Sequence, residues 1–271
     1  MDLRLIATDI DGTLLGPDEA VTRRTIEALR SANDAGVEVV AATGRSFWSA
    51  VPLIEPVGCI RWLLASNGAT LFDTSTGTVV EQSLLDRSIV RDLAAKLNAA
   101  FTGLGFSWEN AEGVFQDEAF RAIRSAAFPS RKLARRSPGV FEPGADDLAK
   151  MMVLHPTLAD SEWLEASRPY IPDELSFATS GLGFVEITSA RADKAIALAA
   201  LCERLGVDQQ HTIAFGDQVN DLGMLRWAGR GYAMENAHED AIEAASHRAP
   251  HHGDDGVAHV VEELLAERSG T

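Results

Sequence analysis

The sequence has 271 residues, of which 46% are hydrophobic, and a formal net charge of −16 from 40 acidic and 24 basic residues. This length favours two lobes, because a single hydrophobic core rarely grows beyond about 250 residues. The acidic excess repels a nucleic-acid backbone unless basic residues cluster strongly, and the lack of about 18 successive apolar residues excludes an obvious membrane span.

The first apolar segment, residues 3–7, is predicted as a buried strand that runs into the acidic turn Asp9-Ile10-Asp11-Gly12-Thr13-Leu14. Successive strand residues point to opposite faces, so Asp9 and Asp11 share one side while Ile10 turns into the core. Two carboxylates placed in this way suit a hard cation such as Mg²⁺. The alternative is an ordinary turn at the end of a strand, where Asp and Gly are common.

An alternation of helix and strand follows the acidic turn. Thr22 can cap the first helix and Gly36 can end it. Strand, helix and strand of these lengths form the βαβ unit of a parallel sheet. The predicted segments are a helix at 22–36, a further helical stretch after Arg45, and strands at 37–42, 62–66, 70–73 and 78–81.

The middle of the chain, residues 84–187, lacks the regular alternation of strand and helix and is predicted as a second, α+β lobe. Aromatic and alternating stretches occur there beside a loop-like region with Pro129, Pro138 and Pro143. Residues 180–183 are predicted as the turn of a hairpin. The predicted elements are helices at 86–100 and 163–170 and strands at 105–109, 114–118, 150–155, 175–179 and 184–188.

The α/β alternation resumes in the last part of the chain. Lys194 opens a predicted helix that Gly206 ends, and the next strand runs into Gly216-Asp217. The predicted elements are helices at 194–205, 220–229, 239–246 and 257–267 and strands at 211–215 and 232–234. We therefore predict an α/β fold with a parallel-sheet core over 1–83 and 188–271, and an inserted α+β lobe over 84–187.

Polar side chains follow the predicted strands of the core at the point where each strand ends. They are Asp9, Asp11, Thr43, Gly44, Arg45, Asn67, Asp217, Asn220 and Asp221. Parallel strands align their carboxyl ends along one edge, where open α/β folds bind ligands, so we expect these residues to meet. Singly, Thr43 could be a helix cap, Lys194 a surface lysine and Asp217 a turn former; jointly they favour a ligand site.

These motifs resemble the haloacid dehalogenase superfamily of phosphotransferases, and within it the sugar-phosphatase-like Cof subfamily. The family's four motifs are matched in order by residues 9–14 (DxDGTL), 43–45 (a Thr or Ser after a strand), Lys194 and 216–221 (GDxxND). The stretches 66–69, 185–188 and 233–237 are also similar, so the resemblance spans nearly the whole chain. It departs at Ala195, where members often carry Gly, and at 251–252, where this chain has two histidines before the Asp-Gly-Val and members often carry Asn.

The resemblance implies a Rossmann-like core, a C2-type (IIB) cap at residues 84–187, and a Mg²⁺-dependent phosphatase of small metabolites, either sugar or cofactor phosphates. It implies that Asp9 attacks phosphorus to form an aspartyl-phosphate and that Asp11 is the acid and base. The implied Mg²⁺ ligands are Asp9, the backbone carbonyl of Asp11, and Asp217. The implied substrate-binding residues are Thr43, Gly44, Arg45, Asn67, Lys194 and Asn220, of which Thr43 and Lys194 are also catalytic.

Asn220 and Asp221 are implied to orient Lys194 and metal-bound water. Two other functions remain open: a phosphomutase with the same core motifs, and a non-catalytic sensor that binds a phosphorylated ligand. Release of inorganic phosphate would separate the phosphatase from both alternatives.

Several side chains outside these motifs have two interpretations. The aromatic residues of the inserted lobe are predicted as core in preference to a platform for substrate: Phe106, Trp108, Phe115 and Phe120. Glu109, Asp117 and Arg121 could contact sugar hydroxyls or could be ordinary surface residues. The basic residues 131–136 are predicted as a solvated segment, and the polar residues 251–255 as a loop in preference to a metal site.

The start of the sequence and its cysteines bear on location. Residues 1–4 lead straight into a strand and lack the basic and apolar regions of a secretory signal, so we expect a cytoplasmic protein. Cys59 and Cys202 are far apart and have no Cys-x-x-Cys neighbour, which favours two buried small side chains over a disulfide framework or a zinc site. Both a monomer and a homodimer are open.

Overall fold

The computed structural model describes residues 2–127, 147–179 and 183–269. The chain divides into two compact units: unit 1 consists of Met1–Glu81 and Asp193–Thr271, and unit 2 of Gln82–Ala192. The predicted insertion at 84–187 falls inside unit 2. The predicted basic segment at 131–136, and residues 180–182 of the predicted hairpin turn, lie outside the described residues.

The described residues form thirteen strands and nine α-helices. The strands are β1 (Leu5–Thr8), β2 (Glu38–Ala42), β3 (Ile60–Ala65), β4 (Thr70–Asp73), β5 (Thr78–Gln82), β6 (Gly105–Asn110), β7 (Gly113–Gln116), β8 (Lys150–Leu154), β9 (Leu175–Thr179), β10 (Phe184–Ser189), β11 (Thr212–Gly216), β12 (Arg230–Met234) and β13 (His247–Ala249). The helices are α1 (Arg23–Asp34), α2 (Phe47–Ile54), α3 (Arg87–Ala100), α4 (Glu118–Ala127), α5 (Asp160–Ser167), α6 (Lys194–Leu205), α7 (Leu222–Trp227), α8 (Glu239–Ala244) and α9 (Gly256–Ser269).

Unit 1 is organised around an eight-stranded sheet in the spatial order β13-β12-β11-β1-β2-β3-β4-β5. The strands from β13 to β3 pair in parallel, and β4 runs antiparallel to β3. Thr8, the last residue of β1, lies beside Ala41 of β2 and Phe215 of β11. The polar residues that follow these three strands therefore start from the same edge of the sheet, and the predicted parallel-sheet core is confirmed.

The core of unit 1 lies on both faces of this sheet, because β1 is buried along its whole length. Leu5 and Ile6 point to opposite faces and belong to two separate apolar clusters. Such continuous burial is typical of central strands in parallel sheets. Cys202 is buried in one of these clusters, as predicted, whereas Cys59 is only partly buried.

Unit 2 contains a five-stranded sheet in the order β7-β6-β8-β10-β9, in which neighbouring strands are antiparallel. One face carries an apolar cluster that includes side chains from β6, β8 and β10 together with residues of α3 and α5. The four aromatic residues predicted as core are confirmed, since three are buried and Phe115 packs partly buried against that cluster: Phe106, Trp108, Phe120 and Phe115.

Two elements were not predicted from the sequence. The strand predicted at 114–118 ends at Gln116, and α4 starts at Glu118 because the carboxylate of Asp117 accepts a hydrogen bond from the backbone N–H of Phe120 (2.7 Å). This is an N-cap contact, which satisfies a donor in the first helical turn. The strand β13 has only three residues, too few for an alternating pattern to be visible.

The described residues include no helix that is both long enough and apolar enough to cross a lipid bilayer.

Candidate active site

The turn after β1 carries Asp9 and Asp11. It is closed by a hydrogen bond from the N–H of Leu15 to the carbonyl of Ile10 (2.9 Å). Gly12 has a left-handed conformation, with φ of +74°, and a Cβ there would lie 2.5 Å from Oδ2 of Asp217. Only glycine meets both demands, so the close approach of the turn to Asp217 depends on residue 12.

A buried cluster joins the end of β1 to the start of α6. The ammonium of Lys194 lies 2.6 Å from Oδ1 of Asp9 and 2.7 Å from Oδ1 of Asp221. Lys194 is 1% exposed and Asp9 is 5% exposed. Asp193 fixes the start of this helix by accepting a hydrogen bond from the N–H of Ala195 (2.7 Å), so a cap contact delivers the lysine to the sheet edge.

The turn after β11 brings two further carboxylates to the same place. Oδ2 of Asp221 accepts hydrogen bonds from the backbone N–H groups of Asp217 (3.0 Å) and Gln218 (2.9 Å). Asp217 accepts from the hydroxyl of Thr13 (2.8 Å) and from the side-chain amide of Gln218 (3.0 Å). Asp217 is thereby held against the turn that carries Asp9 and Asp11.

The electrostatics of this cluster fit a divalent cation. Oxygen atoms of Asp9, Asp217 and Asp221 all lie within 4.8 Å of one another, and Lys194 supplies one positive charge. Burial raises the pKa of Asp9, as do the carboxylates of Asp221 and Asp217 in spite of Lys194. Burial likewise raises the pKa of Asp217, and Asp221 adds to the shift. Crowded carboxylates of this kind suit an oxygen-liganded metal, which restores charge balance.

The hydrogen bonds that each carboxylate accepts indicate which carboxylates could bind the metal and which one holds the lysine. Burial opposes the charged form of Lys194, but the carboxylates of Asp221 and Asp9 outweigh it and raise the lysine pKa. Asp221 already accepts three hydrogen bonds, one from Lys194 and two from backbone N–H groups. Asp9 and Asp217 are therefore the better candidates for direct metal contact, and Asp221 for holding the lysine.

Asp11 lies apart from this buried cluster. Its side chain is 50% exposed and forms a bidentate ion pair with Arg45, from Nε to Oδ2 (2.6 Å) and from Nη2 to Oδ1 (2.5 Å). The hydrogen bond to Asp11 raises the pKa of the Arg45 guanidinium. Arg45, predicted as a substrate-binding residue, thus forms an ion pair with Asp11, the predicted acid and base.

The remaining predicted substrate residues form a second group at the ends of β2 and β3. The carbonyl of Thr43 accepts from the N–H of Asn67 (2.9 Å), and its hydroxyl accepts from the N–H of Arg45 (3.1 Å). Asn220 donates to the side chain of Asn67 (2.9 Å), and a Cβ on Gly44 would lie 3.2 Å from the same asparagine oxygen. Asn220 and Asp221 were both predicted to orient Lys194. In the structure Asp221 bonds to Lys194, whereas Asn220 bonds to Asn67.

The turn that carries Asn67 has an unusual backbone. Ser66 and Asn67 both have positive φ, +53° and +58°. Left-handed residues other than glycine cost free energy and persist where the surroundings hold them, as they often do at functional sites. The backbone strain at this edge supports a function for Asn67 beyond turn formation.

Three residues that contact the site were missed from the sequence. Thr13 was visible as part of the DxDGTL motif, and Asn236 lay in a stretch already noted as similar to the family. Asn236 donates to the carbonyl of Gly12 (2.8 Å). Gln218, which donates to Asp217, had no distinguishing pattern in the sequence.

The side chains outside the motifs are placed as follows. Asp117 holds backbone N–H groups of Phe120 and Phe106, so its carboxylate is occupied within the unit and is a poor candidate for sugar hydroxyls. Glu109, the second candidate, is fully buried on β6, and Arg121 is partly buried at the start of α4.

The histidine-containing loop, residues 251–255, contacts the turn that follows β1. The ring Nδ1 of His252 lies 2.7 Å from the carbonyl of Leu15, and Asp255 accepts hydrogen bonds from Thr22 and Thr25. Within the described ranges, the acidic and histidine residues close enough to share a metal are Asp9, Asp217 and Asp221. The loop at 251–255 is hydrogen-bonded to the turn after β1 and to the start of α1.

Comparison with known proteins matches this architecture over most of its length. The family model of haloacid dehalogenase-like hydrolases matches residues 6–261. Phosphatase YwpJ of Bacillus subtilis is 29% identical, over 97% of this chain and 100% of its own. The 5-amino-6-(5-phospho-D-ribitylamino)uracil phosphatase YcsE of the same organism is also 29% identical, over 96% of this chain and 95% of its own.

A solved structure shares the fold. The HAD subclass IIB sugar phosphatase BT4131 superposes with a TM-score of 0.80 at 23% identity, over 96% of this chain and 98% of its own.

Proposed function

This chain belongs to the haloacid dehalogenase-like hydrolases and is a phosphatase of that family, and from this premise we propose that it hydrolyses a small sugar or cofactor phosphate with Mg²⁺. The single observation that carries the proposal is the buried group of Asp9, Asp217 and Asp221 around the ammonium of Lys194. A solvent-excluded site of this composition suits the transfer of a negatively charged phosphoryl group.

Asp9 is the proposed nucleophile. Its carboxylate lies at the carboxyl end of β1, and Lys194 holds Oδ1 (2.6 Å). Attack on phosphorus by the carboxylate breaks the ester bond and forms an aspartyl-phosphate, and attack of water on that intermediate releases inorganic phosphate. The ammonium of Lys194, together with Thr43, would bind the non-bridging oxygens and lessen repulsion between substrate and carboxylate.

Asp11 is the proposed acid and base. It gives a proton to the departing oxygen in the first half of the reaction and takes one from the attacking water in the second. The bidentate grip of Arg45 sets the direction of this half-exposed carboxylate. Arg45 thus serves the proton-transfer group in addition to any contact with substrate.

Asp9, Asp217 and the backbone carbonyl of Asp11 are the proposed ligands of Mg²⁺. The bound ion would draw negative charge from the phosphoryl oxygens. The hydroxyl of Thr13 and the amide of Gln218 keep Asp217 in place for this contact.

The residues of unit 1 in this scheme act on the phosphoryl group, the metal and the leaving oxygen but not on the rest of the leaving group, so we propose that unit 2 selects it. One relative, YcsE, is a phosphatase whose substrate combines a phosphorylated polyol chain with a heterocycle, which supports both sugar and cofactor phosphates as candidates here. Exchanging residues 82–192 for the corresponding unit of another family member should change the order of substrate preference. An unchanged order would contradict selection by unit 2.

We also place the enzyme in the cytoplasm. The two cysteines, Cys59 and Cys202, are both free, which suits a reducing compartment. Fractionation of cells that express the protein would test this, and recovery with secreted proteins would contradict it.

A phosphatase assay over a panel of sugar, nucleotide and cofactor phosphates tests the function. We expect phosphate release with Mg²⁺, little with a chelator, and loss of turnover in Asp9→Asn but not in Asp34→Asn, which alters an exposed residue at the end of α1. Isomerisation of a hexose phosphate without phosphate release would instead identify a phosphomutase. Binding without any turnover would identify a sensor.

A further inference from the structure

Two side chains outside the four motifs form hydrogen bonds with the turn that follows β1, residues 10–15. The side-chain amide of Asn236 donates to the carbonyl of Gly12 (2.8 Å). Its Oδ1 accepts from the backbone N–H of His252 (3.1 Å), and the ring Nδ1–H of His252 donates to the carbonyl of Leu15 (2.7 Å). We call these three hydrogen bonds the Asn236–His252 clamp. Two of them hold the turn, at the carbonyls on either side of Thr13-Leu14, and the third joins His252 to Asn236.

The loop that carries Asn236 also touches the second acidic turn. It follows β12 and is closed by a bond from the N–H of Ala237 to the carbonyl of Met234 (3.0 Å). The N–H of His238, two residues after Asn236, donates to the carbonyl of Asp217 (2.8 Å). One loop therefore fixes the backbone of Gly12 on one side and that of Asp217 on the other.

The clamp matters physically because it holds the two carbonyls that flank Thr13-Leu14 in a turn built on a left-handed glycine. Gly12 is in the left-handed region and carries no side chain, and a glycine backbone is the most mobile of all residues. Fixing the carbonyl of Gly12 fixes the peptide plane between Gly12 and Thr13, one residue after Asp11, whose side chain is half exposed. The clamp therefore holds the backbone one residue after Asp11, and Arg45 holds the Asp11 side chain.

The chemistry of the clamp requires an amide at residue 236. Asn236 donates with its nitrogen to Gly12 and accepts with its oxygen from His252. A carboxylate would keep the acceptor, lose the donor and place a negative charge against a carbonyl oxygen. An Asn-to-Asp change of nearly identical shape therefore separates the hydrogen bond from packing.

We propose that Asn236 and His252 are positioning residues that aim Asp11 at the oxygen of the leaving group. This rests on the proposed function, in which Asp11 transfers that proton. Residues that hold a catalytic group without touching substrate commonly contribute about 10- to 100-fold to activity. The clamp also gives His252 a part in this chain, at a place where family members often carry Asn.

The test compares an alkyl phosphate with p-nitrophenyl phosphate, because the p-nitrophenolate leaving group needs almost no proton. We expect Asn236→Ala and Asn236→Asp to lower kcat on the alkyl phosphate by about 10- to 100-fold, and on the aryl phosphate by clearly less. A purely structural role would lower the fraction of active enzyme and reduce both rates by the same factor. Equal losses, or no loss, would overturn the proposal.

His252 is tested by a graded pair of variants. His252→Ala removes the donor to Leu15, whereas His252→Asn keeps an N–H at a comparable position, so we expect Asn to recover most of the alkyl phosphatase rate. Equal rates in the two variants would contradict the part assigned to His252. His251→Ala is the control for packing in the loop, because the ring of His251 lies against that of His252 (4.6 Å between centroids) while its side-chain hydrogen bond comes from the N–H of Gly253 (3.0 Å).

Hydrogen exchange of the backbone amides tests the clamp independently of enzyme activity. We expect the amides of residues 10–15 to exchange faster in Asn236→Ala than in wild type, with His251→Ala unchanged. Unaltered exchange in Asn236→Ala would overturn the clamp even if the wild type released no phosphate. If the wild type showed no phosphatase activity and Asn236→Ala still showed accelerated exchange, the proposed function would be refuted but the clamp would stand.

Discussion

Two lysines of the described residues, Lys150 and Lys194, are buried, one in each unit, and their surroundings differ. Lys194 begins a helix at the edge of the parallel sheet and bonds to Asp9 and Asp221. Lys150 begins β8 inside the antiparallel sheet and donates to Glu186 on the neighbouring strand (2.5 Å). One buried charge stands where a sheet ends, and the other stands within a sheet.

The difference distinguishes a lysine in a reaction site from a lysine that stabilises the fold. Around Lys194, carboxylates of Asp9, Asp217 and Asp221 outnumber the single ammonium, and this imbalance favours a bound cation and an incoming phosphate. Lys150 is placed by the strand ladder, opposite Glu109 on β6 and Thr188 on β10. Buried pairs of this kind cost desolvation and are costly to break, so we assign Lys150 to the stability of unit 2.

The largest effect is expected at Lys194. Lys194→Met should lower phosphatase activity per folded molecule by at least about 100-fold, since the donor to the phosphoryl oxygens and to Asp9 is lost. The measurement is kcat corrected by the folded fraction from circular dichroism. Lys96→Met, which alters an exposed lysine on α3, is the control; activity within threefold of it, a margin of about 0.6 kcal/mol, would remove Lys194 from the mechanism.

A different loss is expected at the second buried lysine. Lys150→Met should destabilise unit 2 by about 3–5 kcal/mol, because Glu186 is left as a buried charge without this ion pair. Chemical denaturation followed by the fluorescence of the buried Trp108 and Trp163 of this unit would report it. A loss of activity on p-nitrophenyl phosphate in the folded fraction, with unchanged stability, would contradict the comparison.

The smallest effect is expected when only the charge of the partner is removed. Glu186→Gln keeps a hydrogen-bond acceptor for Lys150 and should cost about 1–3 kcal/mol, less than Lys150→Met. Denaturation under the same conditions measures it. A loss equal to that of Lys150→Met would show that charge alone, without the hydrogen bond, carries the interaction.

The positions of Asp9, Lys194, Asp217 and Asp221 could be predicted because each comes at the boundary of an apolar segment. Parallel pairing then brings those boundaries to one edge, so the sequence pattern and the topology together specify which residues meet. The same reasoning could not find the partner of Arg45. A long, partly exposed side chain can reach several groups, and its choice of Asp11 depends on distances that no strand pattern contains.

The Asn236–His252 clamp lay beyond sequence reasoning for a related reason. Asn236 is 224 residues from Gly12 along the chain, and loops meet according to how the elements before them pack. In unit 2 the strands were predicted, but their spatial order and the burial of Glu109 were not, because an isolated alternating segment does not show which strands flank it.

Covalent trapping tests the nucleophile most directly. The variant Asp11→Asn, which should slow hydrolysis of the intermediate, is mixed with p-nitrophenyl phosphate and Mg²⁺, and borohydride then reduces any acyl phosphate to homoserine. We predict homoserine at position 9, located by peptide mass spectrometry, and only in samples that received substrate. Homoserine at another position, or none while phosphate is released, would contradict an aspartyl-phosphate on Asp9.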